Sequence, residues 1–174
     1  IIPYTRGRVR SRRPEDVEEE VKILAEEGYK EIVLTGIHLT SYGIDFKDEG
    51  IDFLTLIKRL HAIDGIERIR FGSLEPRVIT ETFAEELSKL PKICPHFHLS
   101  LQSGCDKTLK RMNRHYTCEE YAERCAILRK YFENPAITTD VIVGFPGETD
   151  ADFETTREFL EKVHFYEMHV FPYS

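Results

Sequence analysis

Five short apolar runs, each followed by polar or glycine-containing segments, set the rhythm of this chain. Residues 31–35, 66–71, 96–101, 137–143 and 166–171 read as strands. Residues 137–143 are β-branched and nearly unbroken in hydrophobicity, the pattern of a parallel strand buried on both faces. Between these runs, apolar residues recur at helical spacing. Val17, Val21, Leu24 and Ala25 define a helix over 14–27, opened by Pro14 and closed by Gly28. Phe53, Leu56, Ile57 and Leu60 define one over 51–61, and Phe83, Leu87 and Leu90 one over 80–90. A short helix is predicted over 106–112. Thr117 with Glu120 forms a capping box that opens a helix to about 132, with Tyr121, Cys125, Leu128 and Phe132 inward. Thr149 with Asp152 starts a last helix to 163, with Phe153, Thr156, Leu160 and Val163 on its apolar side.

Strand and helix therefore alternate, which predicts an α/β fold with a parallel sheet and helices outside it. The helix over 14–27 has no strand before it in this chain. The expected architecture is an open, partial parallel βα barrel that lacks its first strand, and the alternative is a doubly wound flat sheet. Residues 1–13 are expected to form a basic arm, and 14–174 the barrel core.

Ligands of parallel βα sheets bind at the C-terminal strand ends. There the sequence places Thr35-Gly36-Ile37-His38, Ser73-Leu74-Glu75-Pro76, Gln102-Ser103-Gly104, Asp140 with Gly144 to Glu148, and Tyr173-Ser174. Gly144, Pro146 and Gly147 mark a sharp turn that serves either as a ligand loop or as a tight structural connection. Small residues, amides, hydroxyls and a few carboxylates suit recognition of a polar small molecule. No Ser-His-Asp order stands out, and no strand end carries several His and carboxylates as a metal site would. His96 and His98 alternate on one strand and so share a face, either as ligands or as half-buried structural residues. The set resembles a surface for a cofactor that brings its own chemistry.

Composition refines this picture. The 174 residues are 41% hydrophobic and 32% charged, as in a globular domain, and no apolar run approaches the roughly 20 residues of a membrane span. A cytoplasmic location is expected. The absence of an initiator Met suggests a piece of a longer protein. Net charge is −7, yet Arg6, Arg8, Arg10, Arg12 and Arg13 cluster ahead of the first acid, Glu15. Such an arm either contacts nucleic-acid phosphates or pairs with nearby acids. Cys94, Cys105, Cys118 and Cys125 make no C-x-x-C and fit no zinc or cluster spacing; Cys118 and Cys125 read as half-buried helix residues.

Several segments, in order, resemble the radical S-adenosylmethionine methylthiotransferases. They are residues 1–12 (IIPYTRGRVRSR), 34–43 (LTGIHLTSYG), 98–104 (HLSLQSG), 112–117 (MNRHYT) and 139–149 (TDVIVGFPGET). Within the family, Thr35-Gly36-Ile37-His38-Leu39 is similar to the threonylcarbamoyladenosine-tRNA branch, the alternatives being the isopentenyladenosine-tRNA and ribosomal-protein branches. A different radical enzyme with this barrel, or a non-catalytic binding or assembly module, are the competing readings.

The resemblance implies a tRNA-modifying enzyme that uses S-adenosylmethionine and 4Fe–4S clusters on a partial βα barrel, of which this chain would hold strands two to six. The C-x-x-x-C-x-x-C loop of the family, which would precede Ile1, is not in the sequence, so the piece alone is expected to be inactive. Carried onto this chain, the cofactor contacts fall on Thr35 and Gly36 (methionine amino group), Ser73 and Glu75, Gln102 and Ser103 (ribose or carboxylate) and Arg114 (methionine carboxylate). Asp140, Val141 and Val143 would offer backbone to adenine, with clearance at Gly144, while Glu148 anchors the loop. The arginines at 6, 8, 10, 12 and 13 would face RNA phosphates, and Arg6 with Gly7 would alternatively brace the cluster loop. The open edge at 31–35 is expected to promote self-association.

Overall fold

The structure is a computed structural model that describes residues 4, 5 and 7–174, with Lys47 and Asp48 by backbone only. The chain forms two compact units: one runs to Gly72 and takes back Lys89–Cys94, and the other comprises Ser73–Ser88 and Pro95–Ser174.

In the first unit, helix α1 (Pro14–Glu26) starts on Pro14, where a missing N–H costs nothing, and Glu15 and Asp16 face the positive helix end. Strand β1 (Glu31–Leu34) pairs in parallel with β2 (Arg68–Phe71), Ile32 opposite Ile69. Helix α2 (Phe53–His61) is capped by Asp52, whose carboxylate accepts the Thr55 N–H at 2.7 Å. Its Phe53, Leu56, Ile57 and Leu60 are all buried, as their spacing predicts. Each such side chain contributes roughly 1.5–3 kcal/mol when fully buried. Arg59 of α2 ties to Glu15 and Glu18 of α1.

In the second unit, β3 (Ser73–Leu74), β4 (His96–Leu99), β5 (Ala136–Val143) and β6 (Glu167–Pro172) form a parallel sheet in that order. Helices α3 (Glu81–Ser88), α4 (Asp106–Arg111), α5 (Cys118–Tyr131) and α6 (Asp150–Val163) connect them. Both capping boxes form: Thr117 with Glu120 on α5, and Thr149 with Asp152 on α6. Tyr121, Cys125 and Leu128 of α5 are completely buried against a core that includes Phe97, Leu99 and Val141.

Three differences from the sequence pattern have physical causes. The strand β3 is only two residues long, too short to show a period, and it follows Gly72 directly. The β5 strand is buried on one face more than the other: Thr139 and Val141 are covered, while Asp140 and Ile142 remain half-exposed. On α6, Phe153 is exposed and Asp152 is buried, because Asp152 turns inward to close its capping box and meet Lys107. Among the described residues, no helix is long and apolar enough to cross a membrane.

Candidate functional site: the strand ends and the inner face of the sheet

In the second unit the site centres on Gln102. Its N–H donates to the Asp140 carbonyl and its own carbonyl accepts the Ile142 N–H, both at 2.8 Å. This isolated bridge staples the segment after β4 onto β5. Gln102 adopts φ +76°, a left-handed conformation that side-chain-bearing residues rarely hold. Its neighbours enforce it. Leu101 N–H donates to Thr139 Oγ1 at 3.0 Å, and the Tyr116 hydroxyl lies 2.8 Å from the carbonyls of Ser100 and Leu101. Burial pushes the Tyr116 phenol up to about 12, so it stays a donor. Backbone strain held by a surrounding network is a feature of ligand sites.

The turn after β5 is built the same way. Gly144 sits at φ +73° with open space where a side chain would project. Its N–H donates to the Glu148 carboxylate, in keeping with the anchoring role expected for Glu148. The Arg111 guanidinium donates to the carbonyls of Pro146 and Gly147. Sequence reading missed Arg111, because its partners are backbone atoms 35 and 36 residues away. Phe145 and Tyr173 pack edge to face at 5.0 Å.

The structure redistributes several expected contacts. Ser103 is wholly buried and bonds Thr156 and the Cys105 N–H, so it anchors α6 and has no surface for a ligand. The backbone of 140–143 is not free for adenine: Gln102 occupies Asp140 and Ile142, and Tyr173 N–H occupies the Val143 carbonyl at 2.9 Å. Val141 is buried. What these strands do present is side chains. Ser73 Oγ lies 2.6 Å from Ser100 Oγ at the surface, Glu75 is half-exposed beside a short 3-10 turn, and Arg114 is exposed after the left-handed Asn113. The Asp140 carboxylate reaches His98 Nε2 at 3.2 Å and His169 Nδ1 at 3.4 Å. This gathering of two histidines and a carboxylate overturns the expectation that no such set exists. It was hidden because the three residues lie on separate strands.

In the first unit, Thr35 and Gly36 are exposed at the end of β1. The Cβ position of Gly36 would stand 3.3 Å from Leu39 Cδ2, so glycine lets the chain fold back there. The arm from Gly7 to Arg12, α1, β1 and residues 35–42 line a cavity of about 580 Å³. Arg12 is paired with Glu20, and Arg13 with Glu49 at 2.9 Å and with the Phe46 ring at 4.7 Å. Two of the five arginines expected to face RNA thus already hold acidic partners. Arg8 and Arg10 are exposed, and Arg6 lies outside the described residues.

The cysteines do not fit a 4Fe–4S cluster. Cys105 and Cys125 are buried, Cys94 and Cys118 are half-buried, and burial pushes the Cys125 thiol up to about 12 and the Cys118 thiol upward as well. Buried thiols held in the neutral form are poor cluster ligands. Gln102 and Gly144, by contrast, follow the ends of β4 and β5, and Ser73 is exposed on β3.

Comparison with known proteins follows the same lines. The family described as the Radical SAM superfamily matches residues 1–160. A tRNA-2-methylthio-N(6)-dimethylallyladenosine synthase of Thermoanaerobacter sp. (strain X514) is 49% identical over the whole chain, which covers 37% of that protein. The protein of the same name in Clostridium botulinum (strain Okra / Type B1) is 45% identical over the whole chain, covering 38% of it. The chain thus spans little more than a third of these relatives. Among solved structures, coproporphyrinogen III oxidase (HemN) from Escherichia coli aligns with a TM-score of 0.67 over 92% of this chain and 36% of its own, at 16% identity. The radical S-adenosylmethionine methyltransferase TsrM from Kitasatospora setae reaches 0.71 over 92% and 31%, also at 16% identity. These two establish the fold alone.

The relatives' names overturn the threonylcarbamoyladenosine branch expected from residues 35–39. That expectation rested on five residues of one exposed loop, whereas the identity with dimethylallyladenosine synthases runs over all 174 residues. The match over residues 1–160, with parallel sheets and helices in the matching fold, means that the chain belongs to the radical SAM superfamily.

Proposed function

We propose that this chain is the central domain of a methylthiotransferase that modifies N6-dimethylallyladenosine (isopentenyladenosine) in tRNA. The observation that carries the reading is 45–49% identity, over the whole chain, to proteins named for that reaction. S-adenosylmethionine would supply the radical chemistry, reduced by a 4Fe–4S cluster whose ligands are not among the cysteines of this chain.

The chain's own contribution is binding and orientation. Gln102 offers its amide at the end of β4, Ser73 and Glu75 offer a hydroxyl and a carboxylate near β3, and Gly144 leaves clearance after β5. Arg114 would pair with the methionine carboxylate as a two-pronged donor. Arg8 and Arg10 would contact phosphates without reading sequence. Rigid strands with stapled loops hold such groups in place before the ligand arrives, which is where positional catalysis gains.

The test is nucleoside mass spectrometry. The complete protein that contains this chain, with its clusters reconstituted, is given S-adenosylmethionine, reductant and tRNA carrying dimethylallyladenosine. A methylthio group on that nucleoside is the expected result. Turnover of S-adenosylmethionine with no change in that nucleoside overturns the reading.

A further inference from the structure

The side chains of His98, Asp140 and His169 come from three adjacent parallel strands, and their nitrogen and oxygen atoms lie within 4.8 Å of one another. Register makes the group: Asp140 stands directly opposite His169, and His98 directly opposite Thr138, two residues before Asp140. All three side chains thus emerge on the sheet face turned away from α5, where Phe97 and Leu99 of the same strand are buried instead. The two imidazole rings are nearly parallel, 28° apart, with centroids 6.3 Å from each other.

We propose that His98, Asp140 and His169 bind a divalent first-row transition-metal ion. The set is two imidazoles and one carboxylate, which leaves coordination positions open. Imidazole favours zinc, iron or cobalt over calcium or magnesium. Ligands on three paired strands are held more rigidly than ligands on loops.

The outer contacts support the same atoms as ligands. His98 Nδ1 lies 3.0 Å from Thr138 Oγ1, a hydrogen bond, whereas the Glu167 carboxylate stands 3.9 Å from His169 Nε2, an electrostatic contact beyond hydrogen-bond reach. The first of these contacts is how metal-bound histidines use their second ring nitrogen, donating to a hydroxyl, carbonyl or carboxylate. With the His98 proton on Nδ1, its Nε2 lone pair faces Asp140, whose carboxylate also faces His169 Nδ1, so donor atoms of three side chains converge. A cation resolves that convergence. The side chain of His98 is only 17% exposed, while that of His169 is 55% exposed, so an ion would be held from within and reached from the outer side. An oxygen or nitrogen donor of a substrate, or water, would complete its shell.

The test uses the intact chain, metal-free, dialysed against Co²⁺ with Zn²⁺ as competitor. One ion per chain is expected, with visible ligand-field bands and no thiolate charge-transfer band. His98→Gln, Asp140→Asn and His169→Gln should each weaken binding by about tenfold or more. Folding of each variant is checked by circular dichroism. In the unaltered protein, Zn²⁺ should shift the nitrogen resonances of His98 Nε2 and His169 Nδ1, a readout independent of any variant. Binding that survives His169→Gln, bands of thiolate ligation, or histidine nitrogens unmoved by Zn²⁺ overturns the proposal, leaving a hydrogen-bonded histidine–aspartate cluster.

Discussion

Replacing Gln102 by glycine and by alanine should reverse the usual order of these two residues in extended structure. At φ +76° a side chain costs about 1–2 kcal/mol through its Cβ, and glycine escapes that cost. Glycine gives back roughly 0.5–1 kcal/mol through the greater freedom of its unfolded chain. The backbone bonds of Gln102 to Asp140 and Ile142 survive in both variants, since they need no side chain. Gln102→Gly should therefore be the more stable by about 0.5–1 kcal/mol. For a chain of this size that corresponds to a melting temperature higher by about 1–4 °C. Urea unfolding of the two variants side by side reads the difference. Both variants lose the side-chain amide, so both should bind S-adenosylmethionine more weakly in the complete protein. If Gln102→Ala matches or exceeds Gln102→Gly in stability, the left-handed strain does not exist and the reasoning fails.

Other perturbations follow from contacts already described. Gly104→Ala would place a Cβ 2.9 Å from the Thr156 carbonyl and from Phe159 Cβ, so it should cost about 1–3 kcal/mol in thermal or urea unfolding; a loss under 0.5 kcal/mol would show that α6 gives way. Thr139→Val strips the buried Leu101 N–H of its acceptor and should cost about 1–3 kcal/mol, whereas Tyr121→Phe should cost only about 1 kcal/mol, because Thr139 still donates to the Leu99 carbonyl. Lys107, with Thr149, holds the Asp152 carboxyl well below the usual carboxylate range. Its folded value is depressed, so its stabilisation is complete above the unfolded value of about 3.9 and fades as pH falls below it. Urea unfolding of Asp152→Asn should show the penalty at neutral pH shrinking under acid, and a penalty independent of pH would contradict the pairing.

Much of this was legible in the sequence because local signals agreed with one another. The capping boxes at Thr117 and Thr149, the helical stripe from Phe53 to Leu60 and the turn at Gly144 all form as their residue types require. The strand-end positions also fell where alternation of strand and helix puts them. What escaped was set by long-range register. Nothing local distinguishes His98, Asp140 and His169 from scattered polar residues until β4, β5 and β6 align. Arg111 likewise shows its role only when it meets the Pro146 and Gly147 carbonyls. Ser103 looked like a ligand residue by its place in Gln102-Ser103-Gly104, but the strained turn at Gln102 sends it inward to Thr156. The choice of tRNA branch rested on one loop, and a loop is the part of a fold most open to change.

The most direct test of the binding surface is hydrogen exchange on the complete protein, clusters in place, with and without S-adenosylmethionine. Slower exchange is expected in peptides spanning 73–75, 102–104 and 144–148. Slowing confined to other parts of the chain, with these peptides unchanged, would contradict the assignment of the cofactor to the strand ends.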